Sequence, residues 1–387
     1  MKALNDIPVI KGKRVLVRVD FNVPLNESGE VKNDKRIRIA LPTIQYLLDQ
    51  GVGRLILMTH VGRPKGPDPL LKTDKIARRL SDLLRRPVGK TDDWGERGLP
   101  EETIILLENL RFHPGEKSKD PVERDAFGKQ LASLADLYVD DAFSNLHRDH
   151  ASMTSVPKFL PGYAGLTVEK EVSNIQKVLE RPEHPFVAVM GGLKADKLAA
   201  ISFLLEKADH ILIGGALAFS LLKIEGYSMG ASKVDDEGME EMGELVKKIQ
   251  KNPRIHLPVD TVIADRFAED AKTETVSIDQ VKEGWMALDI GPKTIQNYVN
   301  FLTRAKTIIW FGPIGVFEME PFSQGTKAIG KAMTESHALT IVGGGDSASA
   351  VESMGYGEKM TLVSTGGGAS LKMIEGAAMP GLKALSA

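Results

Sequence analysis

Arg14-Val15-Leu16-Val17-Arg18-Val19, followed at once by Asp20-Phe21-Asn22, sets the pattern on which the rest of the chain is built. A short run of aliphatic residues ends in polar groups just before Pro24. Similar runs recur at Leu55–Met58, Thr103–Leu107, Phe186–Met190, His210–Ile213, Thr307–Trp310, Leu339–Val342 and Thr361–Val363. Between many of them lie segments with helical spacing, such as Asp74–Leu84 and Leu198–Lys207. Strands that are apolar on both faces belong to parallel sheets covered by helices on both sides. The expected class is therefore α/β and doubly wound.

At 387 residues the chain exceeds one ordinary core, since domains usually run about 100–200 residues. Pro157, Pro161 and Gly162 close one series of strands, a helical stretch covers about Val168 to Leu179, and Arg181-Pro182-Glu183-His184-Pro185 restarts the next. We expect two doubly wound, Rossmann-like parallel-sheet lobes, residues 1–165 and 166–374, joined by a hinge helix that opens the second lobe. The 50 Lys and Arg balance the 52 Asp and Glu, which argues against a nucleic-acid partner held by bulk positive charge. There is no cysteine, so disulfides, thiolate zinc sites and a cysteine nucleophile are excluded. No apolar run reaches the roughly 18 residues of a membrane span, and the opening residues lack the apolar core of a signal peptide. The expectation is a cytoplasmic protein with no membrane partner.

In open parallel sheets ligands bind beyond the carboxyl ends of the strands. The residues that follow each apolar run are thus the candidate site. In the first half these exits are Asp20-Phe21-Asn22, then Thr59-His60-Val61-Gly62-Arg63, then Glu108-Asn109-Leu110-Arg111, and Asp140-Asp141-Ala142-Phe143 leading to His147-Arg148; Arg36 follows the first. Guanidiniums gathered with a histidine at one rim make an anion site, because Arg presents a planar fork matched to phosphate and carboxylate oxygens. The second half ends its strands in glycine: Gly191-Gly192-Leu193-Lys194 before Lys197, Gly214-Gly215, Gly312-Pro313 leading to Glu318, Gly343-Gly344-Gly345-Asp346-Ser347, and Gly366-Gly367-Gly368. Glycine turns between strand and helix let backbone amides approach phosphate oxygens at the positive helix end. The chain has neither a P-loop nor a dinucleotide fingerprint. Hydride transfer with a nicotinamide cofactor is therefore disfavoured. Asp346 reads either as an N-cap or as a ligand to the Mg²⁺ of a nucleotide.

Taken in order, Arg18 to Pro24, Arg36-Ile37-Arg38, His60 to Pro64, Glu108 to Phe112, His147-Arg148, Gly312 to Glu318, Gly343 to Ser347 and Ser364 to Ala369 resemble the phosphoglycerate kinases along nearly the whole chain. The resemblance implies reversible phosphoryl transfer between 1,3-bisphosphoglycerate with ADP and 3-phosphoglycerate with ATP, a glycolytic step, by a monomer. It implies that Asp20, Phe21, Asn22, Arg36, His60, Val61, Gly62, Arg63, Arg111 and Arg148 hold the acid. Lys197, Glu318, Gly343, Gly344, Gly345, Asp346 and Ser347 would hold ATP or ADP, with Asp346 on Mg²⁺. Arg36, Lys194, Lys197 and Gly366 to Gly368 would serve the transferring group, and residues 375–387 would pack back on the first lobe. Such a reaction needs no protein nucleophile, because the substrate carboxylate supplies one, and the lobes must close to bring the two sites together. Four places depart from the usual family strings: Phe311 between Trp310 and Gly312, lysines only three apart at Lys194 and Lys197, Ser144-Asn145-Leu146 before His147, and Ala216 after Gly214-Gly215.

Overall fold

The computed structural model describes residues 1–95, 99–194, 197–250 and 252–386. Ala195 and Asp196, inside the expected lysine loop, lie outside the described residues. The chain forms two compact units, Met1–Val172 with Ala378–Ala387, and Ser173–Ala377.

The first unit holds one parallel sheet of β1 (Arg14–Arg18), β2 (Arg54–Met58), β3 (Val88–Lys90), β4 (Ile104–Leu106), β5 (Leu137–Asp140) and β6 (Gly162–Ala164), in the order β3-β4-β2-β1-β5-β6. Val15, Val17, Leu55, Leu57, Leu106 and Val139 point from the strands into one core. Helix Lys35–Asp49 covers it with Ile37, Ile44 and Leu47, and helix Asp74–Leu84 with Ile76 and Leu80, the spacings that put side chains on one helical face. The chain moves outward from β1 to β2 on one side and from β5 to β6 on the other. The crevice at the carboxyl ends of β1 and β5 is therefore a switch point, where ligands of such sheets bind.

The second unit begins its parallel sheet with β7 (Phe186–Met190), β8 (His210–Ile213) and β9 (Ile255–His256). An antiparallel sheet of β10 (Asp260–Ala264), β11 (Thr273–Ser277) and β12 (Met286–Ile290) intervenes, before β13 (Thr307–Phe311), β14 (Leu339–Gly343) and β15 (Leu362–Val363) complete the order β15-β14-β13-β7-β8-β9. The switch point here lies between β7 and β13, whose residues pair in register from Phe186 and Thr307 to Met190 and Phe311. Val189, Leu212, Trp310 and Val342 form the heart of the core. The antiparallel sheet was not legible, because β11 is mostly exposed and carries Thr273, Glu274 and Thr275 where an apolar run is sought.

The division of the chain falls inside helix Leu166–Glu180, later than the expected 165/166. The first turn of that helix is tied to the first unit, with Leu166 N donating to Thr43 Oγ1 at 3.0 Å and Thr167 N to Asp141 Oδ1 at 2.8 Å. The returning segment begins at Ala378, not at residue 375. Gly376 lies against Phe203 of the second unit, where an added Cβ would meet the ring at 3.0 Å. Past it, Gly381 N donates to Leu146 O at 2.9 Å and the Leu385 side chain is buried beside Gly162. Among the described residues no helix is long and apolar enough to cross a membrane.

Candidate functional site

Beyond β1, the Asp20 carboxylate accepts from Arg36 Nη1 at 2.6 Å and from the Ser144 hydroxyl. It thereby aims a half-buried guanidinium from the neighbouring helix. Asn22 Oδ1 accepts from Gly62 N at 2.8 Å, and Gly62 adopts φ 61°, the left-handed region where glycine is favoured. The β1 and β2 exits are stitched into one rim in this way. Asn109 completes the stitching: its Oδ1 accepts from Val61 N at 3.1 Å while its Nδ2 donates to Val61 O at 2.9 Å. Arg111 reaches back and donates to the Gly62 carbonyl. Phe21 and Val61 are buried in the core, so only their backbones are available to a ligand.

The electrostatics of this rim suit an anion. Burial first, then the charges of Arg148 and Arg18, push the Arg111 pKa down to about 10. Burial and the Arg18 guanidinium lower that of Arg148 in the same way. His60 lies well below its ordinary range, through burial and then the charges of Arg18, Arg111 and Arg148. Arg63 is exposed and adds its charge to Arg111 and Arg148. Cations packed so that each disfavours the next are relieved by an anion, and partly buried ones interact more strongly than in water.

Arg18 was missed as a site residue. It is fully buried within β1; its Nη2 lies 2.9 Å from His60 Nδ1 and its Nε donates to Ser152 Oγ at 3.0 Å. Ser152 Oγ donates in turn to the buried Glu116 at 2.8 Å. A guanidinium is donor only, so Nδ1 of His60 accepts and the proton of the neutral ring sits on Nε2. The Glu116–Ser152–Arg18 chain therefore presets His60 as a hydrogen-bond donor. Its signal in the sequence was an arginine inside an otherwise apolar run.

In the second unit the exits of β7 and β13 touch through their backbones. Gly191 N donates to Phe311 O at 2.7 Å and Gly192 N to Pro313 O at 2.9 Å. A Cβ on Gly191 would lie 2.2 Å from Pro313 O, and one on Gly312, at φ 86°, would lie 2.3 Å from Gly191 O. Only glycine allows this approach. Lys197 is half-buried, with its Nζ 3.2 Å from where a Gly192 Cβ would sit, whereas Lys194 is exposed. Of the two lysines, Lys197 thus folds over the glycine turn.

Gly343 lies flat against Phe311, whose ring would be 2.2 Å from an added Cβ. Phe311 is buried, so the apolar side chain in place of a polar one packs beneath the glycine loop. Gly344, at φ 91°, caps helix Gly345–Ser353. Asp346 falls in that helix's first turn and not at its N-cap. Ser347 Oγ is committed inside the protein, donating to Gly343 O at 2.6 Å and accepting from Gly312 N at 2.9 Å. It braces the two glycine turns. A cleft of about 310 Å³ is lined by Gly192, Gly215, Ala216, Leu288, Glu318 and Asp346 among others. Its apolar wall, amide-bearing turns and two exposed carboxylates suit a flat base with a polyol and phosphates. Gly366 N donates to Ser364 Oγ at 3.1 Å, and Gly367, at φ 50°, caps helix Gly368–Ile374.

The family model described as phosphoglycerate kinase matches residues 4–377. The chain is 49% identical to the phosphoglycerate kinase of Moorella thermoacetica, over 97% of each chain. It is 48% identical to that of Rubrobacter xylanophilus, over 97% of this chain and 96% of the relative. Among solved structures, the phosphoglycerate kinase of Coxiella burnetii superposes with a TM-score of 0.89 at 38% identity, covering 99% of this chain and 98% of its own. That of Pyrococcus horikoshii gives 0.84 at 31% identity, covering 100% and 98%. Sequence, fold and the two sets of strand exits converge: the chain belongs to the phosphoglycerate kinase family.

Proposed function

We infer that this chain transfers a phosphoryl group reversibly between 1,3-bisphosphoglycerate with ADP and 3-phosphoglycerate with ATP, the reaction of its family. The first unit takes the acid. Arg63, Arg111, Arg148 and His60, with Asn22 and the Gly62 backbone, engage its phosphate and carboxylate. The second unit takes the nucleotide, with Glu318 on the ribose, and Lys197 and the glycine turns at Gly343 to Gly345 on the phosphates. The observation that carries this reading is the crowding of Arg18, Arg111 and Arg148 about His60, with Arg18 2.9 Å from the ring and all three guanidiniums lowering its proton affinity.

Transfer from ATP forms a bond from the substrate carboxylate oxygen to the γ-phosphorus and breaks the bond from that phosphorus to the bridging oxygen of ADP. The protein needs only to align the groups and spread the charge. Arg36, held by Asp20, Lys197 and the amides of Gly367 and Gly368 serve that charge, with Lys194 in a lesser part; the Gly366 amide is taken by Ser364 Oγ instead. Asp346 fits Mg²⁺: its exposed carboxylate is a hard oxygen donor on the cleft beside the phosphate turns. Bound there, the ion would neutralise phosphate charge. Both sets of residues lie in one chain, so a monomer suffices, and diffusible substrates suit the cytoplasm.

A coupled assay with 3-phosphoglycerate and Mg-ATP tests the activity; a folded protein without turnover refutes it. Titration calorimetry tests the assignment of residues. Arg111→Ala should weaken 3-phosphoglycerate by about 10- to 150-fold, from the loss of about 1.5–3 kcal/mol of charged hydrogen bonding, and leave Mg-ADP unchanged. Equal weakening of both ligands would sink it.

A further inference from the structure

A cavity that neither set of strand exits uses lies in the second unit, away from the glycine turns. His210 opens β8 and His256 closes β9. Leu212 pairs with His256 in the parallel register, and His210 lies two residues before Leu212. Side chains two apart share a sheet face, so both imidazoles leave the sheet on the same side. There His210 Nδ1 and His256 Nε2 stand 3.1 Å apart. Phe301 flanks both rings, with centroids 4.3 Å from His210 and 4.5 Å from His256, which restricts how far either can turn. The pair borders a cavity of about 750 Å³ also lined by Pro185, Asn297, Asn300 and Arg304, with no carboxylate among the described residues of its wall. Burial lowers the proton affinity of both imidazoles.

We propose that His210 and His256 form a chelating site for a borderline divalent transition-metal ion of the Cu²⁺ or Ni²⁺ kind. A hydrogen bond between the rings uses one lone pair, whereas a shared ion uses both. Nitrogens 3.1 Å apart subtend about 98° at an ion about 2.05 Å from each. That angle lies between square-planar and tetrahedral requirements, so small ring rotations suffice. The open cavity leaves room for water to fill the other positions. Neutral imidazole without carboxylate selects Cu²⁺ and Ni²⁺ over Mg²⁺, which demands oxygen. The site is therefore separate in chemistry from the nucleotide's ion. Its effect is to pin the edge strand β9 to β8.

The test titrates Cu²⁺ into the full chain without nucleotide, with pulsed electron paramagnetic resonance to read the remote nitrogens of coordinated imidazole. One tight equivalent with two imidazoles is expected. His210→Gln and His256→Gln should each weaken it by about tenfold or more and leave one imidazole, while the exposed His337→Gln changes nothing. Ni²⁺ should raise the thermal midpoint of the parent and of neither variant. A single imidazole in the parent, or an affinity indifferent to both substitutions, overturns the proposal.

Discussion

Asp141→Asn should make the protein more stable at pH 8 and no more stable at pH 4. Asp141 is only 3% exposed and serves the start of helix Leu166–Glu180, accepting from Thr167 N at 2.8 Å and from Thr167 Oγ1 at 3.1 Å. Burial raises its pKa from 3.8 to about 7, with hydrogen bonds from Thr167 and Thr43 opposing and the charge of Asp140 adding to the rise. The folded state therefore keeps the proton longer than the unfolded one. Stability is highest below the unfolded pKa and falls as pH rises through about 4 to 7, then levels. Three units at 1.36 kcal/mol each set an upper bound of about 4 kcal/mol for the cost of ionising this group in place. Asparagine keeps an acceptor for Thr167 N, and its amide can donate to the threonine hydroxyls, while nothing is left to ionise. Asp289, pushed up to about 7, titrates with the same sign in both proteins and cancels in the difference, which reports Asp141 together with its coupling to Asp140, itself pushed up to about 6. Urea titrations at pH 4 and pH 8, read by hydrogen exchange in β1 and β5, should show a gain of about 2–4 kcal/mol at the higher pH only. An equal gap at both pH values, or a less stable variant at pH 8, would refute the reasoning.

Three further outcomes test the phosphate end of the second unit. Lys197→Ala should reduce kcat far more than Lys194→Ala, because Lys197 lies over the Gly192 turn and Lys194 is exposed; steady-state kinetics on folded variants decide, and a larger loss at Lys194 would reverse the assignment. Gly312→Ala should destabilise by about 1–3 kcal/mol and weaken Mg-ADP, since its Cβ meets Gly191 O at 2.3 Å. Gly345→Ala, with nothing within 4 Å of its Cβ, should leave the urea midpoint nearly unchanged.

The central strands of the parallel sheets were legible because they are apolar on both faces: Phe186–Met190 and His210–Ile213 fall where the runs place them. The short, partly exposed strands Val88–Lys90, Gly162–Ala164 and Ile255–His256 were not. The antiparallel sheet was not, because exposed Thr273, Glu274 and Thr275 carry no burial signal. Within the site, the polar residues that end strands stood out. Arg18 did not, because its meaning lies in Ser152, far away in sequence. Ser347 was expected among the residues that hold the nucleotide, and not as a brace between Gly343 and Gly312. Each miss concerns a contact fixed by three-dimensional packing, which local spacing cannot encode.

The return of residues 378–387 to the first unit has a consequence for synthesis. The unit begun first is completed last, after the whole of 173–377, 205 residues, has been made. At about 5–20 residues per second, that interval lasts about 10–40 s. Throughout it, Gly162 and Leu146 lack the Leu385 and Gly381 that later cover them. The nascent first sheet must wait with part of its surface bare while its successor emerges from the ribosome. Slow codons within 173–377 would lengthen that wait.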